Sequence, residues 1–363
     1  MTTLMKNILV FNLGSTSFKF ELFDSESFAS LKKGAYELKP KTASDLQTEI
    51  NKIFREALRA VGDTSEIEVI GHRFVHGGDV FQENTLVTTE IIEALEKLND
   101  LAPLHNPYNL AGIKAAMEYL PAIKNYAVFD TAFFKDLPLA SKIYPLPWPY
   151  YEKFGLKKFG FHGTSHCYAA KKACEELSLD LNQAKLITIH LGGGCSIAAI
   201  EKGRPIDTSM GFTPLEGLMM LTRTGDLDPA VVLEILQGFL RSNLSAEQAI
   251  IETKKLLNFS SGIKGISGYN DYLELLKAVG FGEPRAKLAF EMFIQRIKKY
   301  LGGYLALLGG ADAIVFTGKI GAGQPQTRRK ICDKMKILEG IEIVVVQPHE
   351  ELAIAREIQR ITI

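Results

Sequence analysis

The feature that most constrains this chain is a strand, turn and strand unit that occurs twice. Residues 8–11 form a short apolar run, and Phe18, Phe20 and Leu22 then alternate with Lys19, Glu21 and Phe23. The first pattern predicts a buried strand and the second a strand of period two. Between them, Gly14-Ser-Thr-Ser17 is a polar turn. Gly14 lets the backbone approach a ligand, the hydroxyls of Ser15, Thr16 and Ser17 donate with neighbouring N–H groups, and Lys19 adds a mobile charge. Such donors suit an oligophosphate, and an ordinary Ser-rich hairpin with a surface lysine is the competing reading. The unit recurs as residues 186–190, Leu191-Gly-Gly-Gly-Cys-Ser196 and residues 197–200, with Gly203 and Pro205 closing the next turn. Two copies half a chain apart predict duplicated halves facing one ligand. Each half also offers a later apolar strand running into a carboxylate: 126–129 into Asp130, and 341–346 through Gln347-Pro-His349 into Glu350. Open α/β sheets collect ligands at such strand ends.

Length and charge narrow the class. At ~150 residues per domain, 363 residues suggest two domains, and 46% apolar residues supply two cores. Lys plus Arg and Asp plus Glu balance at 42 each, which gives no general basic surface for nucleic acid or an anionic membrane. The apolar run after Met1 is too short for a signal peptide, and the longest later run, 304–316, contains Gly309, Gly310 and Asp312. Neither secretion nor membrane insertion is expected, and a cytoplasmic location is. Cys167, Cys174, Cys195 and Cys332 show neither zinc spacing nor Cys-x-x-Cys, which fits a reducing compartment with no structural metal. Cys195, in the second Gly-rich turn, is either reactive or, as is commoner, a buried inert thiol.

Further along, a helix is expected over 43–61 and a strand over 67–75, the latter carrying Gly71-His-Arg-Phe-Val-His-Gly-Gly78. Arg73 on an otherwise apolar strand either pairs with an internal carboxylate or projects into an anion site. His72 and His76 lack the third ligand of a metal site and read as structural. A helix is expected over 91–98; two prolines then fix a loop over 101–109 that holds His105 beside Asn106, as substrate-facing residues are often held, before a helix over 110–119. The Pro- and aromatic-rich passage 138–149, with Trp148, marks the expected domain boundary. His162 precedes a helix expected over 168–177 with Thr164 or Ser165 as N-cap, and is singled out although a lone histidine is more often a core residue. Residues 207–217 read as a loop and helix start. Arg223, in Thr222-Arg-Thr-Gly-Asp-Leu-Asp-Pro229, either pairs locally with Asp226 or Asp228 or serves a charged transition state. Amphipathic helices follow over 231–240, 246–257, 272–279 and 285–308, the last long enough for central packing or a dimer contact. A strand over 311–316 enters a glycine-rich turn, Thr317-Gly-Lys-Ile-Gly-Ala-Gly323, and a closing helix is expected over 350–361.

An ordered series of motifs carries a family resemblance: Asn12-x-Gly-Ser-x-Ser-x-Lys19, Gly71-His-Arg-x-Val-His-Gly-Gly78, Leu101-Ala-Pro-Leu-His-Asn-Pro107, Phe129-Asp-Thr-Ala-Phe133, Lys158-Phe-Gly-Phe-His-Gly-Thr-Ser-His166, Thr208-Ser-Met-Gly-Phe-Thr-Pro-Leu-Glu-Gly217, Thr222-Arg and Glu350-Glu-Leu-Ala-Ile-Ala-Arg356. The chain resembles the acetate kinases, within the acetate and butyrate kinase group of the actin, hexokinase and Hsp70-like superfamily. The resemblance implies an α/β fold of duplicated ribonuclease H-like (actin-like ATPase) domains, each a mixed five-stranded sheet flanked by helices, with a cleft between them. Residues 1–147 with the closing helix 351–363 would form one domain and 148–350 the other, on the nucleotide side and with the dimer contacts. It further implies a homodimer that transfers the γ-phosphoryl group of ATP reversibly to acetate, with Mg2+ or alternatively Mn2+, giving acetyl phosphate and ADP. Propionate or butyrate as acceptor is the rival within the family, and a non-catalytic nucleotide-binding relative is the rival outside it.

Acetate is ionised near neutral pH, so this chemistry needs positive charge rather than a strong base. By resemblance, Arg73 and Arg223 hold the carboxylate and neutralise the transferring group. His162 donates to an equatorial oxygen; Asp130 matches the family's proton donor or acceptor, but since no proton must move its expected role here is to orient Arg73 or a magnesium-bound water. Asn12 and Glu350 position the Mg2+. His105 and His190 line the cleft, and Val75, Leu104, Phe161 and Pro214 form a pocket for the methyl group. Ser15, Ser17, Lys19 and the run Leu191, Gly192, Gly193, Gly194 take the phosphates, while Asp271, Tyr272, Leu273 and Lys319, Ile320, Gly321, Ala322, Gly323 lie on the nucleotide side. The departures fall on that side too. Gly193 stands where the family usually has Asn, Asp271-Tyr-Leu273 replaces Asp-Phe-Arg, the 317–323 stretch replaces Ala-Gly-Ile-Gly-Glu-Asn, and His349 replaces Asn. A nucleotide held mainly by its phosphates is therefore expected.

Overall fold

The computed structural model describes residues 6–14, 17–38, 45–103 and 105–362. They divide into two compact units. The first takes the chain up to Lys135, Phe161–Tyr168 and everything from His349 on; the second takes Asp136–Gly160 and Ala169–Pro348.

The first unit is built on a six-stranded sheet of β1 (Asn7–Leu13), β2 (Ser17–Asp24), β3 (Ser30–Glu37), β4 (Ile67–Phe74), β5 (Thr85–Leu86) and β6 (Lys124–Phe129), in the order β3-β2-β1-β4-β6-β5. β1 pairs antiparallel with β2, Asn12 opposite Lys19, and parallel with β4, which is parallel to β6. Strand alternation decides which helix each side chain meets. Leu9, Phe11 and Leu13 of β1, with Phe18, Phe20 and Leu22 of β2, pack under the helix Leu46–Val61 through its buried Ile50, Ile53, Phe54 and Ala57. Ile8, Val10, Phe23, Val69 and Val128 face the other way, against Ile354, Ala355 and Ile358 of the C-terminal helix Glu350–Thr362. Gly71 of β4 lets that helix come close, because a Cβ there would stand 2.9 Å from Ile354 and 3.0 Å from Ile358. Burying such an isoleucine contributes about 2–3 kcal/mol.

The second unit repeats the plan. β7 (Lys185–Leu191), β8 (Cys195–Glu201), β9 (Arg204–Thr208), β10 (Ala313–Thr317) and β11 (Glu342–Val345) lie in the order β11-β10-β7-β8-β9. β7 and β8 are antiparallel, and β10 is parallel to both β7 and β11. This is the order of β6-β4-β1-β2-β3 in the first unit, so the expected duplication of mixed five-stranded sheets is present, and β5 is an extra edge strand. The helix Pro284–Leu308 is the packing core of this unit, burying ten side chains from Ala286 to Leu308.

Three local expectations are corrected. The stretch expected as a glycine-rich turn after β10 is a short helix, Gly318–Gly323. Gly318 serves close approach, since a Cβ there would lie 2.4 Å from the Leu191 carbonyl oxygen, and Arg328 Nη1 donates to the carbonyls of Gly321 and Ala322 at 2.7 and 2.8 Å, closing the helix end. The helix after His162 begins at Gly163, so Thr164 and Ser165 lie in its first turn and not at its cap. Pro205 lies within β9 and not in a turn. Among the described residues no helix is long and apolar enough to cross a membrane.

Candidate active site

Alternation on four strands of the first unit delivers polar side chains to one place. Asn12 follows Ile8 and Val10, Glu21 and Lys19 precede Phe23, Arg73 follows Gly71, and Asp130 follows Val128, all on the face covered by the C-terminal helix. That helix begins there with Glu350. Arg73, Asp130, His162, Thr164, Ser165, Glu350 and Ile354 line one cavity.

Arg73 forks onto Asp130: Nη2 donates to Oδ2 at 2.7 Å and Nε to Oδ2 and Oδ1 at 3.2 and 3.3 Å, while Nη1 stands 3.6 Å from Glu350 Oε2. Of the two readings left open for Arg73, the pairing with an internal carboxylate is present, and the residue also lines this cavity. Burial works against its charge, yet Asp130 and Glu350 hold the guanidinium above its ordinary range. Burial likewise pushes the Asp130 carboxyl up, and the fork opposes that push. Thr164 Oγ1 donates to Asp130 Oδ1 at 3.4 Å. The helix start sits directly on Asp130, with Gly163 N–H donating to its carbonyl at 3.0 Å; a Cβ on Gly163 would fall 2.1 Å from that oxygen. His162, just ahead, has a φ of 57°, a left-handed conformation uncommon for a non-glycine residue and found disproportionately at functional sites.

Asn12 Nδ2 donates to Glu350 Oε2 at 2.8 Å and to Glu351 Oε1 at 2.9 Å. Glu351 also meets Lys19 at 3.7 Å. An amide's oxygen and nitrogen exchange places by a half-turn, so Asn12 can offer an oxygen at this position. The carboxylates of Glu21, Asp130, Glu350 and Glu351 outnumber the cations Arg73 and Lys19, four to two, and the donors are mainly oxygens. A hard divalent cation such as Mg2+ fits this set.

Of the other first-unit candidates, Val75 and Phe161 are buried, and the Phe161 ring lies edge-on to His76 at 5.2 Å. His105 occupies the position ahead of the helix Asn106–Tyr119, and Ser17 opens β2 with its carbonyl accepting from Gly14 N–H at 2.8 Å. Ser15 and Leu104 lie outside the described residues. Asn106, read as substrate-facing, is turned inward: it accepts from His76 N–H and donates to the carbonyls of His76 and Leu98. Asn109, one helical turn on, accepts from Val75 N–H at 3.1 Å and donates to the Leu13 carbonyl at 2.7 Å, tying the ends of β1 and β4 together. Its signal in the sequence was the spacing Asn106-x-x-Asn109 at a helix start.

In the second unit, Arg223 Nη1 donates to the Pro214 carbonyl at 3.3 Å and approaches Met220 Sδ at 3.8 Å. The local ion pair, one of the two readings left open for Arg223, is not formed. Asp226 accepts from Gly217 N–H and from Tyr300 Oη, both at 2.7 Å, and Asp228 caps the helix Pro229–Arg241 through Ala230 N–H. Among the described residues Arg223 has no carboxylate partner, and burial pushes its guanidinium below its ordinary value. His190 is buried on β7 beside Gly192, and Gly192 N–H closes the turn onto the Gly194 carbonyl at 2.9 Å. A side chain at exposed Gly193 would meet nothing within 4 Å, so its glycine is not a steric need. Leu191 is buried on the same strand. Burial pushes the neighbouring Cys195 thiol up to about 12, in keeping with an inert filler. Asp271 caps the helix Tyr272–Gly280 through Leu273 and Glu274 N–H, and the Tyr272 hydroxyl meets Thr327 at 2.9 Å in the interior. Ile320, Gly321 and Ala322 are buried, whereas Leu273, Lys319 and Gly323 are exposed.

The Acetokinase family profile matches residues 30–353. The chain is 39% identical to the acetate kinase of Halothermothrix orenii over 98% of its own length and 99% of that protein. It is 40% identical to the acetate kinase of Thermotoga maritima over 98% of each. Among solved structures, Porphyromonas gingivalis acetate kinase superposes with a TM-score of 0.84 at 36% identity, covering 99% of this chain and 100% of that one. A propionate kinase from Francisella tularensis superposes with a TM-score of 0.86 at 33% identity, covering 97% and 99%. The two duplicated sheets are accordingly those of the actin-like ATPase fold, and the chain belongs to the acetokinase family.

Proposed function

We propose that this chain is an acetate kinase, moving the γ-phosphoryl group of ATP reversibly to acetate to give acetyl phosphate and ADP. The observation that carries the reading is Arg223, a half-buried guanidinium held by a carbonyl oxygen and a thioether and by no carboxylate among the described residues. A cation kept out of water without a counter-ion is costly unless an anion arrives to meet it. In the reaction an oxygen of the acetate carboxylate forms a bond to the γ-phosphorus as the bond to the bridging oxygen breaks. The electron pair leaves on ADP and no proton moves. Arg223 neutralises the transferring group. Arg73, its plane set by Asp130, presents forked donors to the second anion, and His162 donates to an equatorial oxygen. Asn12 and Glu350 would hold Mg2+, which when bound neutralises phosphate charge.

In this reading the buried Val75 and Phe161 are the first unit's apolar residues for the acyl group. The likeness to a propionate kinase structure supports a second reading, a three-carbon acceptor. One methylene is worth only ~1–3 kcal/mol in such a pocket. We further take the chain to act as a cytoplasmic homodimer, supported by the exposed Val231, Leu233, Leu240, Ile250 and Ile251 on two successive helices. The functional test is hydroxylamine trapping of acyl phosphate from ATP, Mg2+ and acetate, propionate or butyrate. Acetyl hydroxamate in excess of the other two supports the proposal; no hydroxamate from any acid refutes it.

A further inference from the structure

Glu350 is the first residue of its helix, and the residues on either side of it are both held by strand β2. Lys19 and Glu21, two apart, share one face of β2. Glu21 Oε2 lies 2.9 Å from His349 Nε2, and Lys19 Nζ lies 3.7 Å from Glu351 Oε1. One polar atom from each of Glu21, His349 and Glu351 lies within 4.8 Å of the other two. Glu21 is only 4% exposed, a position where a carboxylate is costly without a partner, and the imidazole supplies that partner. The Phe23 ring, from the same face of β2, flanks the imidazole at 5.8 Å, and the His349 carbonyl accepts from Ala353 N–H at 3.0 Å, closing the first turn of the helix.

We propose that Glu21 and His349 are positioning residues for Glu350. β2 grips the chain on both sides of Glu350, and this two-point hold sets the direction in which its carboxylate meets Asn12, Arg73 and the cation. The inference rests on the proposed role of Glu350 toward Mg2+. It concerns Glu21, to which the family resemblance assigned no part, and His349, which stands where the family has Asn.

The test compares the parent chain with Glu21→Gln, His349→Asn and His349→Gln. Glutamine reaches about as far as imidazole Nε2 and can still donate to Glu21. Asparagine is too short to do so but is a favoured helix N-cap, so a purely structural role predicts no penalty for it. Three quantities are read: Mn2+ binding in the presence of ADP, followed by the electron spin resonance of free Mn2+; the Mg2+ dependence of acyl phosphate formation; and metal-free thermal unfolding. Outer partners of metal ligands typically carry ~10- to 100-fold of affinity. His349→Asn is therefore expected to weaken Mn2+ binding and raise the Mg2+ requirement about tenfold, with turnover at saturating Mg2+ near the parent's. His349→Gln should restore most of the affinity, and Glu21→Gln should lose less than His349→Asn because its amide oxygen still accepts. Parent-like Mn2+ binding in both Glu21→Gln and His349→Asn overturns the proposal, as does an equal loss in His349→Gln and His349→Asn. If His349→Asn does not fold, Glu21→Gln decides. A parent chain that makes acetyl phosphate but binds no Mn2+ with ADP also overturns it. A parent that binds Mn2+ with the expected order of variants yet makes no acyl phosphate leaves the positioning role standing and removes the functional reading.

Discussion

Arg73→Lys separates a catalytic guanidinium from a structural one. The native side chain makes three N–O contacts to Asp130 between 2.7 and 3.3 Å and one to Glu350 at 3.6 Å. Lysine replaces this planar fork with one mobile ammonium. A hydrogen bond to a charged group is worth ~1.5–3 kcal/mol, so losing one that acts on the reacting anions lowers kcat/KM for acetate about 10- to 100-fold. Folding suffers less, because an ammonium still faces the buried Asp130 carboxyl, and circular dichroism should show an intact fold. ADP release measured well below the unfolding transition gives the rate. Asp130→Asn in the Arg73→Lys background should cost little more, since the two act as one unit. A variant within about threefold of the parent, with a lowered unfolding midpoint, would show that the pair is structural only and would remove Arg73 from the site.

Arg223→Met should lower turnover at least ~tenfold while leaving the unfolding midpoint unchanged or raised, because a half-buried cation with no carboxylate partner among the described residues is replaced by an apolar chain; a clear loss of stability would contradict this. His72 Nε2 donates to Asn125 Oδ1 over 2.7 Å, and burial pushes its imidazole down to about 4. The unfolded imidazole takes a proton below ~6.5 and the folded one resists until about 4, so stability is full above the upper value and falls by about 3 kcal/mol as pH drops between them. Urea titrations across that window should lose most of their slope in His72→Gln, and an unchanged slope would assign the acid sensitivity elsewhere. On the nucleotide side, Leu273 offers no cation and Tyr272 is committed to Thr327, so each missing contact to the base costs ~0.5–2 kcal/mol; GTP and ITP should replace ATP with modest loss at saturating acetate, and a hundredfold preference for ATP would refute the expectation.

The parts of this molecule written in local pattern were legible in its sequence. The two apolar strands flanking Gly-rich turns became β1–β2 and β7–β8, and Arg73, conspicuous on an apolar strand, pairs with an internal carboxylate, Asp130. β3 was invisible because it is an edge strand, with Lys32 and Lys33 in the middle and little burial to impose a period. The helix Gly318–Gly323 was misread because glycine signals both turns and close packing, and only the approach to β7 tells which. Glu350 was expected to close the second half, but the contacts of the C-terminal helix over Gly71 group it with Arg73 and Asp130. The roles of Glu21 and His349 lie in a hydrogen bond spanning 328 positions, which no local pattern encodes.

The central claim is that a carboxylate takes the γ-phosphoryl group directly. Phosphorus-31 magnetic resonance of the purified chain with ATP, Mg2+ and acetate tests it in one tube. An acetyl phosphate resonance should grow in equal amount with ADP and reverse when ADP and acetyl phosphate are supplied instead. ADP appearing with inorganic phosphate and no acetyl phosphate, or ATP left intact, would contradict it.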